Sequence, residues 1–215
     1  MKPSFRVNRV WQIGYPLAVY FIVYNLAYKL FCVIFSKIGS PLFWLGISAA
    51  ITIPLIYGMY KKLPTIKCEK RFQRETIFKE LALVALIVAI GIGLNVCITQ
   101  LSLVGESAGF EKANQTLYSG GLFARIFSTC ICIPILEELL YRGVICGQLG
   151  LWYNNVIAAL VSAFLFGMMH FNMVQFIYAF CMGLVLGYIF LRTKKLWVVM
   201  LAHGLTNLVV VLYHI

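Results

Sequence analysis

Charge is what this sequence has least of. Asp, Glu, Lys and Arg make up 12% of its 215 residues, where a soluble domain carries about 25%. So few charges cannot cover a water-facing surface, which excludes a soluble globular protein. Acidic residues are scarcest, seven against 18 Lys and Arg, and histidine occurs only as His170, His203 and His214. The seven cysteines offer no CxxC pair of zinc-finger spacing, and their odd number excludes a fully paired disulfide framework. Most lie in apolar runs, where a reduced thiol packs as a small hydrophobe. Repeats, low-complexity tracts and a soluble domain are also missing.

What is there is hydrophobicity: 62% of the residues are apolar and the mean hydropathy is +0.90. The expected fold is all-α, a polytopic transmembrane helical bundle of about seven spans with a cytoplasmic N-terminus. Apolar runs at 11–35, 42–60, 81–103, 156–170, 173–191 and 196–215 are read as spans, with a fourth in chain order starting near 122. Lys2, Arg6 and Arg9 resemble a signal-peptide start. The run behind them is too long and no small-residue cleavage site closes it, so it reads as a membrane helix. The net charge of +11 lies in the loops, where it sets orientation; the partner is the lipid bilayer and not nucleic acid. The loop 61–79 carries seven Lys or Arg and reads as cytoplasmic, while 105–121, with Glu106 and Glu111 against Lys112, reads as external. Lys29 inside the first run is expected to snorkel or face protein.

The run 131–142, ICIPILEELLYR, breaks the apolar pattern with two adjacent glutamates. A charge near the bilayer centre costs about 2.5–3.5 kcal/mol on insertion scales, so each needs a use or a partner. Arg142 lies four residues after Glu138, on the same helical face and in the favourable order. Glu137 points roughly 100° away and has no partner in its own helix. Pro134, one turn earlier, frees a backbone carbonyl and kinks the axis.

His170 and His203 are the ionisable groups able to meet Glu137; His214 is placed at the water interface. Phe166 lies one turn below His170, and Asn207 shares a face with His203. Glu137 and His170 are 33 residues apart. A hairpin turning at Tyr153–Asn154 would set both ~25 Å from its tip. His203 fits that depth only if the tip protrudes ~10 Å or a helix kinks, because it lies just ~14 Å along its own helix.

A glutamate and a neutral imidazole can hold a water between them, the carboxylate taking its proton as it attacks a carbonyl. A second His with an Asn one turn away can donate to the oxyanion that forms. Glu137, His170 and His203 could equally ligate zinc. The set describes a peptide hydrolase without a covalent nucleophile.

In order, Glu137-Glu138-x-x-x-Arg142, Phe166-x-x-x-His170 and His203-x-x-x-Asn207 resemble the three motifs of the CPBP family of intramembrane proteases. That family includes the CAAX prenyl proteases (Ras-converting enzymes) and the bacterial bacteriocin-processing and immunity (Abi) proteins. The resemblance covers about 122–213. It divides the chain into N-terminal membrane helices with the basic loop, 1–120, and a catalytic core, 121–215. It implies an intramembrane endopeptidase in which Glu137 and His170 activate water and His203 and Asn207 stabilise the oxyanion. Glu138, Arg142 and Phe166 would support them. No metal is expected to be required, and the substrate is expected to be a membrane-associated peptide or protein at a bacterial plasma membrane. The competing expectation is a non-catalytic scaffold that regulates a partner membrane protein. A transporter is disfavoured, since the chain has no matching halves with Gly- or Pro-interrupted spans.

Overall fold

The computed structural model describes residues 8–68, 76–100 and 107–213, and the regular structure among them is helical throughout. Lys2, Arg6, Lys70, Arg71, Arg74, Glu106 and His214 fall outside the described residues. In chain order the helices are α1 (Arg9–Ile34), α2 (Pro41–Lys62), α3 (Ile77–Thr99) and α4 (Ala108–Tyr118). They continue with α5 (Leu122–Trp152), α6 (Asn155–Met168), α7 (Met173–Thr193) and α8 (Leu196–Tyr213). Side-chain caps start several of them. Ser40 accepts from Phe43 N–H at 3.2 Å, Asn154 from Ile157 at 2.9 Å and Asn172 from Gln175 at 2.9 Å. Lys194, left-handed at φ 53°, ends α7.

Five helices, α1, α2, α3, α7 and α8, are long and apolar enough to cross a bilayer, and α4 with α5 makes a sixth segment bent by 119°. By length and composition the described residues therefore yield five or six spans rather than seven. The difference lies largely in α6, whose 14 residues reach about 21 Å against ~30 Å of hydrocarbon. The stretch 105–121, read as a loop, contains α4, started by Ser107 accepting from Phe110 N–H at 3.3 Å. Lys29 lies on an exposed face near the end of α1, close enough to snorkel.

α5 is irregular, and the irregularity positions the site. Ile126–Cys132 and Leu139–Cys146 wind as π-helix on either side of the α-helical turn Ile133–Glu138. Ile133 N–H donates to the Ser128 carbonyl, five residues back. In that register Pro134, lacking an N–H, leaves the Thr129 carbonyl without its helical donor. Neighbouring side chains satisfy such carbonyls, as they must where no water competes. Asn207 Nδ2 donates to Thr129 O at 2.8 Å, and Ser162 Oγ to Tyr141 O at 2.8 Å. Thr65 Oγ1 donates to Gly143 O at 2.5 Å.

The α5–α6 hairpin turns at Tyr153–Asn154, as its motif spacing predicts. The start of α8 packs much further back along α5: a Cβ on Gly143 would meet Leu196 Cδ1 at 3.2 Å. Lys195 pairs with Glu80 at the start of α3, holding both helix starts at that level. From Gly143 to Trp152 is a further ~14 Å of helix, so the hairpin tip protrudes past the start of α8. His203 then lies seven residues into α8 while Glu137 lies six residues back along α5, which matches their depths to within about 2 Å.

Candidate active site

Glu138 and Arg142 are fully buried, and Arg142 Nη1 donates to Glu138 Oε1 at 2.9 Å. The same carboxylate oxygen accepts from His203 Nδ1 at 2.9 Å. A carboxylate facing Nδ1 makes that nitrogen the protonated one and leaves Nε2 to the other side. There Nε2 stands 3.9 Å from Glu137 Oε2, beyond direct hydrogen-bond length. The two adjacent glutamates are therefore inequivalent: Glu138 is paired with Arg142 in the interior, and Glu137, 13% exposed, faces His203.

Phe166 organises the remaining groups. His170 lies edge-on to its ring at 5.2 Å and His203 edge-on at 6.0 Å, while the Arg142 guanidinium sits over it at 4.5 Å. His170 Nδ1 donates to the Phe166 carbonyl at 3.1 Å, which leaves Nε2 as a proton acceptor. Phe171, directly after His170, has a left-handed φ of 55° at the tight α6–α7 connection, a position where strain is held by surrounding contacts. Asn207 faces α5, with one amide hydrogen given to Thr129 O and a second still available. Thus Glu138, Arg142 and His203 bond directly, Glu137 stands 3.9 Å from His203, His170 joins them through Phe166, and Asn207 approaches through the backbone of α5. Among the described residues no group of three or more His, Cys, Asp and Glu is arranged to hold a metal.

Three tyrosines that sequence reasoning passed over line the same side. Tyr141 is fully buried, packs on Phe166 at 5.1 Å and meets Tyr20 of α1 edge-on at 6.3 Å. Tyr24 stacks on Tyr20 at 5.4 Å. Their only sequence signal was the four-residue spacing of Tyr20 and Tyr24 and the place of Tyr141 inside the glutamate motif.

α8 comes close to α5 because Gly204 has no side chain; a Cβ there would land on the Cys130 carbonyl oxygen. Gly204→Ala is expected to force the helices apart and destabilise the protein by about 1–3 kcal/mol. Thermal unfolding in detergent measures it, and an unchanged midpoint would mean that the two helices adjust freely.

Residues 119–209 match the family model described as type II CAAX prenyl endopeptidase Rce1-like. A Bacillus subtilis (strain 168) protein named "Putative membrane peptidase YdiL" is 34% identical over 87 residues, 40% of this chain and 36% of that relative. The chain thus matches little more than a third of that relative's length. No solved structure matches. Each of the two matches is a likeness to a protein described as a peptidase, over less than half of this chain, while the several long apolar helices support a multi-pass membrane protein. All residues of the three motifs lie inside the matched stretch, whereas Tyr20 and Tyr24 lie outside it.

Proposed function

We propose that the protein is an intramembrane endopeptidase that hydrolyses a peptide bond of a membrane-associated peptide or protein at a bacterial plasma membrane. The observation that carries this reading is the inequivalence of the two glutamates: Glu138 is bonded to Arg142 and His203, and Glu137 faces the imidazole at 3.9 Å. A carboxylate paired with no Lys or Arg in a low-dielectric site is suited to take a proton.

In this mechanism a water lies against Glu137 and His170. Glu137 takes its proton as the oxygen attacks the scissile carbonyl, then delivers that proton to the departing amine. His170, with Nδ1 tied to the Phe166 carbonyl, presents Nε2 to the water. His203 and the second amide hydrogen of Asn207 bear on the carbonyl oxygen. When His203 is imidazolium, Nδ1 stays on Glu138 and Nε2 becomes a donor. Glu138 and Arg142 orient that ring, much as a buried carboxylate orients a catalytic histidine. The reaction so drawn requires no metal.

The test is hydrolysis in reconstituted vesicles, comparing wild type with His203→Ala against membrane peptides encoded beside the gene. Wild type is expected to yield two products whose masses sum to the peptide plus one water. Loss of one oxyanion donor is expected to slow the variant by about 10²–10³-fold. A phenotype in cells that persists unchanged in the variant, with no cleavage by wild type, would sink the peptidase reading and leave a membrane scaffold.

A further inference from the structure

The Tyr141 hydroxyl is fully buried and has no hydrogen-bond partner. Phenylalanine would fill the same volume without burying an unpaired hydroxyl, so a phenol here calls for a partner in the working state. The residue is held at three points. Ser162 Oγ fixes the Tyr141 carbonyl at 2.8 Å, Phe166 packs at 5.1 Å and Tyr20 closes the far edge at 6.3 Å. Tyr141 lies four residues after Glu137 in α5, about one helical turn, and the ring that Tyr141 packs on is the one shared by His170 and His203. The hydroxyl is therefore a positioned, uncommitted donor one helical turn from the candidate base.

The two donors that the mechanism aims at the carbonyl oxygen are each partly committed, and the buried Arg142 Nε and Nη2, also without partners, belong to the guanidinium that pairs with Glu138. One Asn207 hydrogen goes to Thr129 O, and His203 Nδ1 goes to Glu138. A tetrahedral oxyanion needs donors aimed where its charge develops, and a neutral phenol supplies one without needing to be ionised.

We infer that Tyr141 donates its hydroxyl hydrogen to the scissile carbonyl oxygen as that oxygen becomes an oxyanion. This inference rests on the peptidase reading. In the step, a water oxygen bonds to the carbonyl carbon, its proton passes to Glu137, and the carbonyl π pair moves onto oxygen. The Tyr141 hydrogen bond shortens onto that charge without transferring the proton. Collapse restores the carbonyl, breaks the C–N bond and returns the proton from Glu137 to the amine. Tyr141 is thus a catalytic donor contributed from within the glutamate motif, and Tyr20 of α1 positions it.

The experiment compares wild type with Tyr141→Phe in vesicles on one cleavable peptide. The expected result is a fall in kcat of about 10–100-fold with KM within about two-fold, and an unfolding midpoint equal to or above wild type. Wild-type kcat in a folded Tyr141→Phe protein overturns the inference. Should that variant fail to fold, 3-fluorotyrosine at position 141 keeps the hydroxyl and reports by its ¹⁹F shift. The shift is expected to move when a phosphinic (tetrahedral) peptide binds and to stay when the uncleaved peptide binds to Glu137→Gln; no movement with the phosphinic peptide overturns the inference. Failure of wild type to cleave any peptide fails the peptidase reading. Cleavage by wild type, slowed in His203→Ala but not in Tyr141→Phe, fails this inference alone.

Discussion

Glu137→Gln is expected to leave the fold intact and lower kcat by about 10³–10⁴-fold, the upper part of the range for general acid–base catalysis. Two features place it there. The base lies in a bundle where bulk water cannot substitute for it, and Glu138, its neighbour in sequence, cannot take over. Glu138 is fully buried and already bonded to Arg142 and His203, with its accepting oxygen 2.9 Å from each. Glutamine keeps the size of the side chain and removes only the proton acceptor. Substrate binding should therefore persist, with KM little changed while kcat collapses. The amide can also face His203 Nε2, so no buried charge is stranded. Single-turnover hydrolysis alongside an unfolding curve checks both halves. Substantial activity in the glutamine variant would move the base elsewhere.

Arg142→Met is expected to have the largest effect on stability, about 3–5 kcal/mol, because it strands a buried carboxylate. The guanidinium is the partner of Glu138 at 2.9 Å and also covers the Phe166 ring at 4.5 Å. Its loss thus removes an ion pair and the support under the ring that carries both imidazoles. The double variant Glu138→Met with Arg142→Met should recover much of the stability, since a well-packed apolar pair of similar volume often matches a buried ion pair. It should stay inactive, because His203 would lose the carboxylate that fixes its Nδ1 proton. Denaturant titration in mixed micelles, with activity measured in parallel, separates the two losses. Equal instability of the single and double variants would argue that packing of the guanidinium, and not its charge, is what the site needs.

Much of the site could be read from spacing. Glu138 and Arg142 are one helical turn apart and meet; Phe166 lies one turn from His170 and packs on it; Glu137 and His170 are equidistant from a hairpin turn that falls at Tyr153–Asn154. Each of these depends on the rise and pitch of a helix, which the chain sets locally. The membrane class was equally legible, since the scarcity of charge excludes any other solvent for these surfaces.

Less legible were features that depend on how helices slide against one another. α6 is short, α4 is a helix rather than a loop, and α5 takes π-helical turns that expose backbone carbonyls. Pro134 announced a freed carbonyl, but only the packed structure shows that it is Thr129 O and that Asn207 answers it. Tyr20 reaches the site from α1, well outside the matched core, and no periodicity in either segment could announce that contact.

By itself, the sequence determined the membrane, the helices and which residues share a helical face, because these follow from side-chain transfer energies and from 3.6 residues per turn. Only the tertiary structure decided that one histidine stands between two unlike glutamates. That outcome depends on Leu196 seating against Gly143 and Gly204 against the Cys130 carbonyl, axial offsets set by complementary surfaces of helices far apart in the chain.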